Sequence, residues 1–179
     1  MTLAEPHRID RVAHETLTFE RQLKGPKEAV FEAFSDAVAR AKWASPSPTA
    51  VVIYDSENFI EEGNDEYRCG SKDDPSIHGK TQYLEIVENS RIVFSETLTM
   101  NGQKLSASFT TVELSSVDSI TILKQTTHVA SFIGTSMIDG FKQGNNASLD
   151  NLVKYVNDLS APNNSFNPMP LRGTGQFRR

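Results

Sequence analysis

The chain is 179 residues long, 37% hydrophobic and 23% charged, which suits one domain with a sizeable core and requires no second one. Its net charge of −5 argues against general nucleic-acid or anionic-membrane binding, both of which want a basic face. A single cysteine, Cys69, excludes an internal disulfide and a thiolate-rich metal site, and no stretch approaches the roughly 20 apolar residues of a membrane span. With no apolar run of signal-peptide length at the start either, the expectation is a cytoplasmic protein.

Residues 1–15 are polar and aperiodic and read as a leader. Thr16 to Leu23 alternates, with Leu17, Phe19, Arg21 and Leu23 on one parity, and is a first strand. Gly25-Pro26-Lys27-Glu28 starts a helix, since Gly suits the cap, Pro the first turn and Glu28 the positive end of the dipole. Val30, Phe31, Phe34 and Val38 follow at helical spacing. Ser35-Asp36 offers a second cap, so Pro26 to Lys42 is one bent helix or two short ones, ending before Trp43 and Ser45-Pro46-Ser47-Pro48.

From Val51 the period becomes two. Val51 to Ile60, Glu66 to Gly70, Gly79 to Val87, Arg91 to Thr99, Lys104 to Ser115 and Ser119 to Val129 read as successive antiparallel strands, with Asn101-Gly102 as the strongest hairpin signal. In the last of them Ile120 and Ile122 oppose Thr121, Leu123, Gln125 and Thr127, so neither face is cleanly dry; a half-polar interior of that kind suits a ligand cavity, and a partly exposed sheet has the same pattern.

Ile138 to Leu159 is the one long helical pattern. Ile138, Phe141, Leu149, Leu152, Val156 and Leu159 share a stripe opposite Lys142, Asn146, Asp150, Lys154 and Asp158. Gly140, Gly144, Asn145 and Asn146 interrupt it, each Gly costing about 1 kcal/mol relative to Ala, and Asn145 lies on the apolar stripe itself. Residues 160–179, rich in Pro and Asn and carrying Arg172, Arg178 and Arg179, read as a disordered tail.

One strand, a helix pair, about six strands and a long helix define an α+β domain over residues 16–159, with the sheet curled around the helix. Several stretches resemble bacterial SRPBCC proteins: Glu28 to Asp36, Trp43, Glu66-Tyr67-Arg68, Gly79, Tyr83 to Val87, Arg91 to Phe94, and Gly144 with Leu149 to Leu152 and Tyr155-Val156. The resemblance covers roughly residues 16 to 158. It is closest to the branch named after the activator of the ninety-kilodalton heat-shock-protein ATPase. It implies a helix-grip fold like that of START lipid-binding domains and the birch-pollen allergen, with a cavity for a small hydrophobic ligand between sheet and C-terminal helix. Two departures alter the implied cavity: Gly63-Asn64-Asp65-Glu66 replaces the usual glycine pair, and Asn145 replaces an aromatic.

The ligand-binding residues expected from this reading are Trp43, Tyr67, Tyr83, Phe109, His128, Phe141, Asn145 and Leu149, with aromatics giving contact area and Asn145 a hydrogen bond. Trp43, Phe109, Phe141 and Leu149 are expected in the core in any case. His128 near a strand end can act as base or ligand contact, or be an ordinary surface histidine. Tyr67, Tyr83 and Cys69 can face in or out. Glu85 is a general acid if buried among apolar groups and otherwise a partner for Arg68 or Arg91. Asp73, Asp74 and His78 match no cation loop and read as a solvated turn.

The expected function is binding of a small hydrophobic or amphipathic ligand, a lipid or aromatic metabolite, with no metal and no cofactor; a homodimer is open. Two alternatives stand beside it. One is a cyclase or hydrolase using His128 with Glu85 or Tyr83, and the other is a chaperone-interaction module of the kind the family name suggests.

Overall fold

The alternating stretches become strands β1 (Ala13–Lys24), β2 (Ala50–Ser56), β3 (Asn64–Ser71), β4 (Ile77–Val87), β5 (Arg91–Met100), β6 (Gln103–Val117) and β7 (Ile120–Ser131) in the computed structural model, which describes residues 11–161. The helices are α1 (Lys27–Ser35), α2 (Ala37–Trp43) and α3 (Thr135–Leu159). All seven strands form one antiparallel sheet in the order β1-β7-β6-β5-β4-β3-β2. The first two strands therefore lie at opposite edges, roughly 29 Å apart measured along the curved sheet at about 4.8 Å per strand gap. The helix pair between them has to cross that distance, and in doing so it covers one end of the sheet's concave face.

Three bulges curl the sheet. Asp55, Leu84 and Leu105 are each an extra residue without a partner in the ladder, which bends the strand and increases its twist. The bulge at Leu105 also puts it and Ser106 both inside. At the β5–β6 hairpin, Asn101 and Gly102 have φ of 51° and 77°, the positive pair a type I′ turn needs. Asp36 divides the helix pair into two: it closes α1, and its Oδ1 accepts from the backbone N–H of Val38 at 2.7 Å and of Ala39 at 3.2 Å to start α2.

α3 is continuous through its glycines. Its C-terminal half is the packing anchor: Leu149, Leu152 and Val156 are almost completely buried against β1 and the helix pair. Polar clamps fix its register. Arg21 bonds Asp150 at 2.8 Å and Asn146 at 2.9 Å, the Lys24 backbone N–H bonds Asn157 at 2.8 Å, and Ser148 and Asn151 donate to the carbonyls of Ala44 and Ser45. Among the described residues no helix is long and apolar enough to cross a membrane.

Several expectations are corrected. β1 starts three residues earlier than its alternation suggests, because Ala13 to Glu15 find partners on β7. β2 stops at Ser56, and residues 57–63 form a loop that Asp65 ties down. Trp43 belongs to α2. Val38 and Leu159, placed on apolar stripes by their spacing, are 67% and 61% exposed, Val38 because the break at Asp36 turns α2 away from α1's buried face and Leu159 because it ends the helix beyond the sheet. The tail's Pro162, Pro168, Pro170 and arginines lie outside the described residues.

Candidate functional site

The concave face of β2 to β7, the N-terminal half of α3 and the helix pair line a pocket of about 470 Å³. Six of the eight residues expected to bind a ligand line it: Trp43, Tyr67, Tyr83, Phe141, Asn145 and Leu149. Trp43 is held by a 2.8 Å hydrogen bond from its indole N–H to the Ala33 carbonyl and by edge contact with Phe34 at 5.0 Å. Tyr83 packs edge-on between Phe59 and Phe94, at 4.7 and 6.3 Å. Tyr67 lies across β4 where Gly79 leaves room; a Cβ at Gly79 would collide with the ring. That close approach explains the glycine there.

Phe109 and His128 are not in the pocket. They face each other across β6 and β7 on the outer side of the sheet, with ring centres 6.5 Å apart, Phe109 42% exposed and His128 bonded to Thr16 at 3.0 Å. The reason is register. On β7 the inward parity is Thr121, Leu123, Gln125, Thr127 and Val129, so the polar side faces in and His128 faces out with Ile120 and Ile122. Glu85 is on the outer side too, where its bond to Arg91 at 2.6 Å holds its carboxyl below the usual range. The acid-base pairing of His128 with Glu85 is therefore not assembled.

The floor of the pocket carries two polar groups that the sequence reading did not single out. In the first, Asp65 is 1% exposed and accepts from Arg40 at 2.7 Å, from the Tyr83 hydroxyl at 2.5 Å and from the Asn58 backbone N–H at 2.8 Å. Arg40 also donates to the Phe34 carbonyl and lies over Tyr54 at 4.7 Å. Burial works against the guanidinium's charge, but Tyr83, Tyr54 and Asp65 outweigh it and raise its pKa. Arg40 Nε has no protein partner.

The second is Glu96. Register aligns Asp65, Thr81, Glu96 and Ser108 in one row across β3, β4, β5 and β6, all on the inner face. Glu96 Oε2 accepts from the Tyr67 hydroxyl at 2.6 Å and from Thr81 at 3.4 Å. Burial raises its pKa, against the pull of those two bonds. Burial and then the neighbouring Glu96 push the Cys69 thiol up to about 11, so it is a poor nucleophile. The signal was present in β5: Ile92, Phe94, Glu96 and Leu98 share a parity, and a carboxylate on an otherwise apolar face marks a site.

Farther along the floor, Thr110 and Thr127 bond at 3.0 Å, and Gln125 donates to Asn145 Oδ1 at 2.7 Å. Asn145 returns a bond to the Phe141 carbonyl at 2.9 Å. The residue that interrupts the apolar stripe of α3 is thus tied to the sheet's polar floor. Gly140 and Gly144 line the same region, and a Cβ at either meets no heavy atom within 4 Å. Among the described residues no cluster of three or more His, Cys, Asp or Glu is arranged to hold a metal.

A sheet curled around a long C-terminal helix, closed by two short helices after the first strand, is the helix-grip class. The chain belongs to the family described as Activator of Hsp90 ATPase homolog 1-like protein, which it matches over residues 24–157. It is similar to a Rhizobium loti protein of known crystal structure, with 31% identity, a TM-score of 0.72 and coverage of 81% of this chain and 99% of that one. A protein from Rhizobium leguminosarum (23% identity, TM-score 0.68, 83% and 97% covered) and an AHSA1-like protein from Aeromonas hydrophila (17%, 0.62, 82% and 94%) share the fold. No curated protein matches the chain.

Proposed function

We propose that this protein binds a small amphipathic molecule, with an apolar body and a polar end, in the pocket between sheet and α3. The observation that carries the reading is the pocket itself: about 470 Å³, inside the usual range of roughly 300–1,000 Å³ for ligand sites, with aromatic walls and a few polar groups in a row on its floor. The family's fold, which commonly holds ligands in this position, supports it. The single cysteine suits a reducing setting.

Catalysis has less support, since His128 and Glu85 lie outside the pocket and Cys69 is held protonated. The family's name points to a chaperone partner, but a shared fold does not carry a shared partner. Thermal-shift screening and native mass spectrometry against lipids and aromatic metabolites test the main reading. Finding no bound species and no stabilisation across such a panel would remove it.

A further inference from the structure

The pocket's charges do not balance. Its lining includes three formally charged side chains, Arg40, Asp65 and Glu96. Arg40 and Asp65 bond each other at 2.7 Å and cancel, whereas no cationic side chain among the described residues lies within salt-bridge distance of Glu96. Both described donors that reach Glu96, from Tyr67 and Thr81, fall on Oε2, so that among the described residues Oε1 has no donor. A carboxylate set in an apolar wall is costly unless a counter-charge meets it. Here the fold supplies hydroxyls for one oxygen only.

We propose that Glu96 is the anchor for a protonated amine at the polar end of the ligand, so that the pocket takes hydrophobic amines in preference to alcohols or acids of the same skeleton. The inference rests on the ligand-binding reading above and specifies its ligand class. An ammonium brings the missing charge and up to three donors, enough to occupy Oε1 and reach a neighbouring acceptor. An anionic head would meet Glu96 with like charge, and Arg40, whose terminal nitrogens are engaged by Asp65 and the Phe34 carbonyl, would have only Nε left to offer it.

A titration signature follows. Burial makes Glu96 hold its proton more tightly than a free glutamate, and the ammonium requires the ionised form, so amine binding in that interval releases a proton and tightens as pH rises. The titratable and charged groups around Glu96 are Tyr54 on β2, Asp65, Tyr67 and Cys69 on β3, Tyr83 on β4 and Arg40 on α2. Burial holds the tyrosines and the cysteine neutral through neutral pH, so none of them takes up the charge of a bound ammonium.

The test compares n-decylamine, 1-decanol and decanoate as competitors of the uncharged fluorophore N-phenyl-1-naphthylamine, on the wild-type protein and on Glu96→Gln. The expected result is that decylamine competes about tenfold or more better than decanol on the wild type, the size of one charge-assisted hydrogen bond. That preference, read as the ratio of amine to alcohol competition, should vanish in Glu96→Gln. Equal competition by amine and alcohol on the wild type, or a preference that survives in Glu96→Gln, overturns the amine assignment and leaves the pocket reading intact. Failure of the fluorophore and all three competitors to bind overturns both. The wild-type comparison decides the matter even if the variant does not fold.

Discussion

Gly140 and Gly144 are in the interior of α3, where glycine costs a helix about 1 kcal/mol relative to alanine. Nothing steric requires them, since an added Cβ at either position contacts no heavy atom within 4 Å. Gly140→Ala and Gly144→Ala should therefore each stabilise the protein by about 1 kcal/mol, or about 2–4 °C in Tm for a chain of this size. Both glycines also line the pocket, so side-chain size should act on binding separately from stability. Gly144→Leu should keep most of the helix gain yet lower the affinity of an uncharged fluorophore by about tenfold, the loss of roughly 1.4 kcal/mol of contact. Urea unfolding gives the first quantity and fluorescence titration the second. Destabilisation by either alanine would show that the backbone needs glycine's freedom there. Unchanged fluorophore affinity in a folded Gly144→Leu protein would mean that ligands do not pass or touch this wall.

Three further outcomes are expected. Asp65→Leu alone should cost about 3–5 kcal/mol in urea unfolding by stranding Arg40, and adding Arg40→Met should recover at least about 1 kcal/mol of it; strictly additive losses would contradict a coupled buried pair. Asn145→Leu should change stability by less than about 1.5 kcal/mol, because Gln125 loses its partner but faces the pocket, while weakening ligand binding; a larger loss with unchanged binding would make Asn145 ordinary structure. For Glu96, the folded protein keeps its proton at pH values where the unfolded chain has lost it, so unfolding releases a proton and stability falls as pH rises from about 4.5 to the raised folded value. Urea midpoints across that interval should slope downward in the wild type and flatten in Glu96→Gln; identical slopes would refute the burial of this carboxyl.

Periodicity made the strand sequence, the helix pair and α3 readable, because each element has one face against the core and one against water. Where an element lacks that contrast, reading failed. β7 is polar on the side that faces in, since its threonines and Gln125 bond one another and Asn145, so the assignment of inward residues was inverted for His128 and, through the same register, for Phe109. Glu96 and Asp65 went unnoticed for a related reason. A single acid in a strand is ordinarily read as wet-face; the apolar parity of β5 marks Glu96 as inward, while for Asp65 it takes cross-strand register through Thr81, which lies opposite both. Arg40, 5% exposed on a seven-residue helix, has no pattern to betray it; its place follows from a partner 25 positions away.

The distribution of polar groups separates two tasks within the fold. α3 is anchored by Leu149, Leu152 and Val156, and its N-terminal half, loosest in helix propensity at Gly140 and Gly144, forms a wall of the pocket. The sheet carries the chemistry: Glu96, Thr81 and Tyr67 sit on paired strands whose ladders fix their spacing, which is the firmer platform for recognising a ligand's polar end. A helix-grip protein can therefore keep its architecture while exchanging one inward row of residues, and with it the head group it accepts. Likeness at 17% or 23% identity carries the fold alone, and on the ligand-binding proposal the row from Asp65 to Ser108 is where ligand class would be decided.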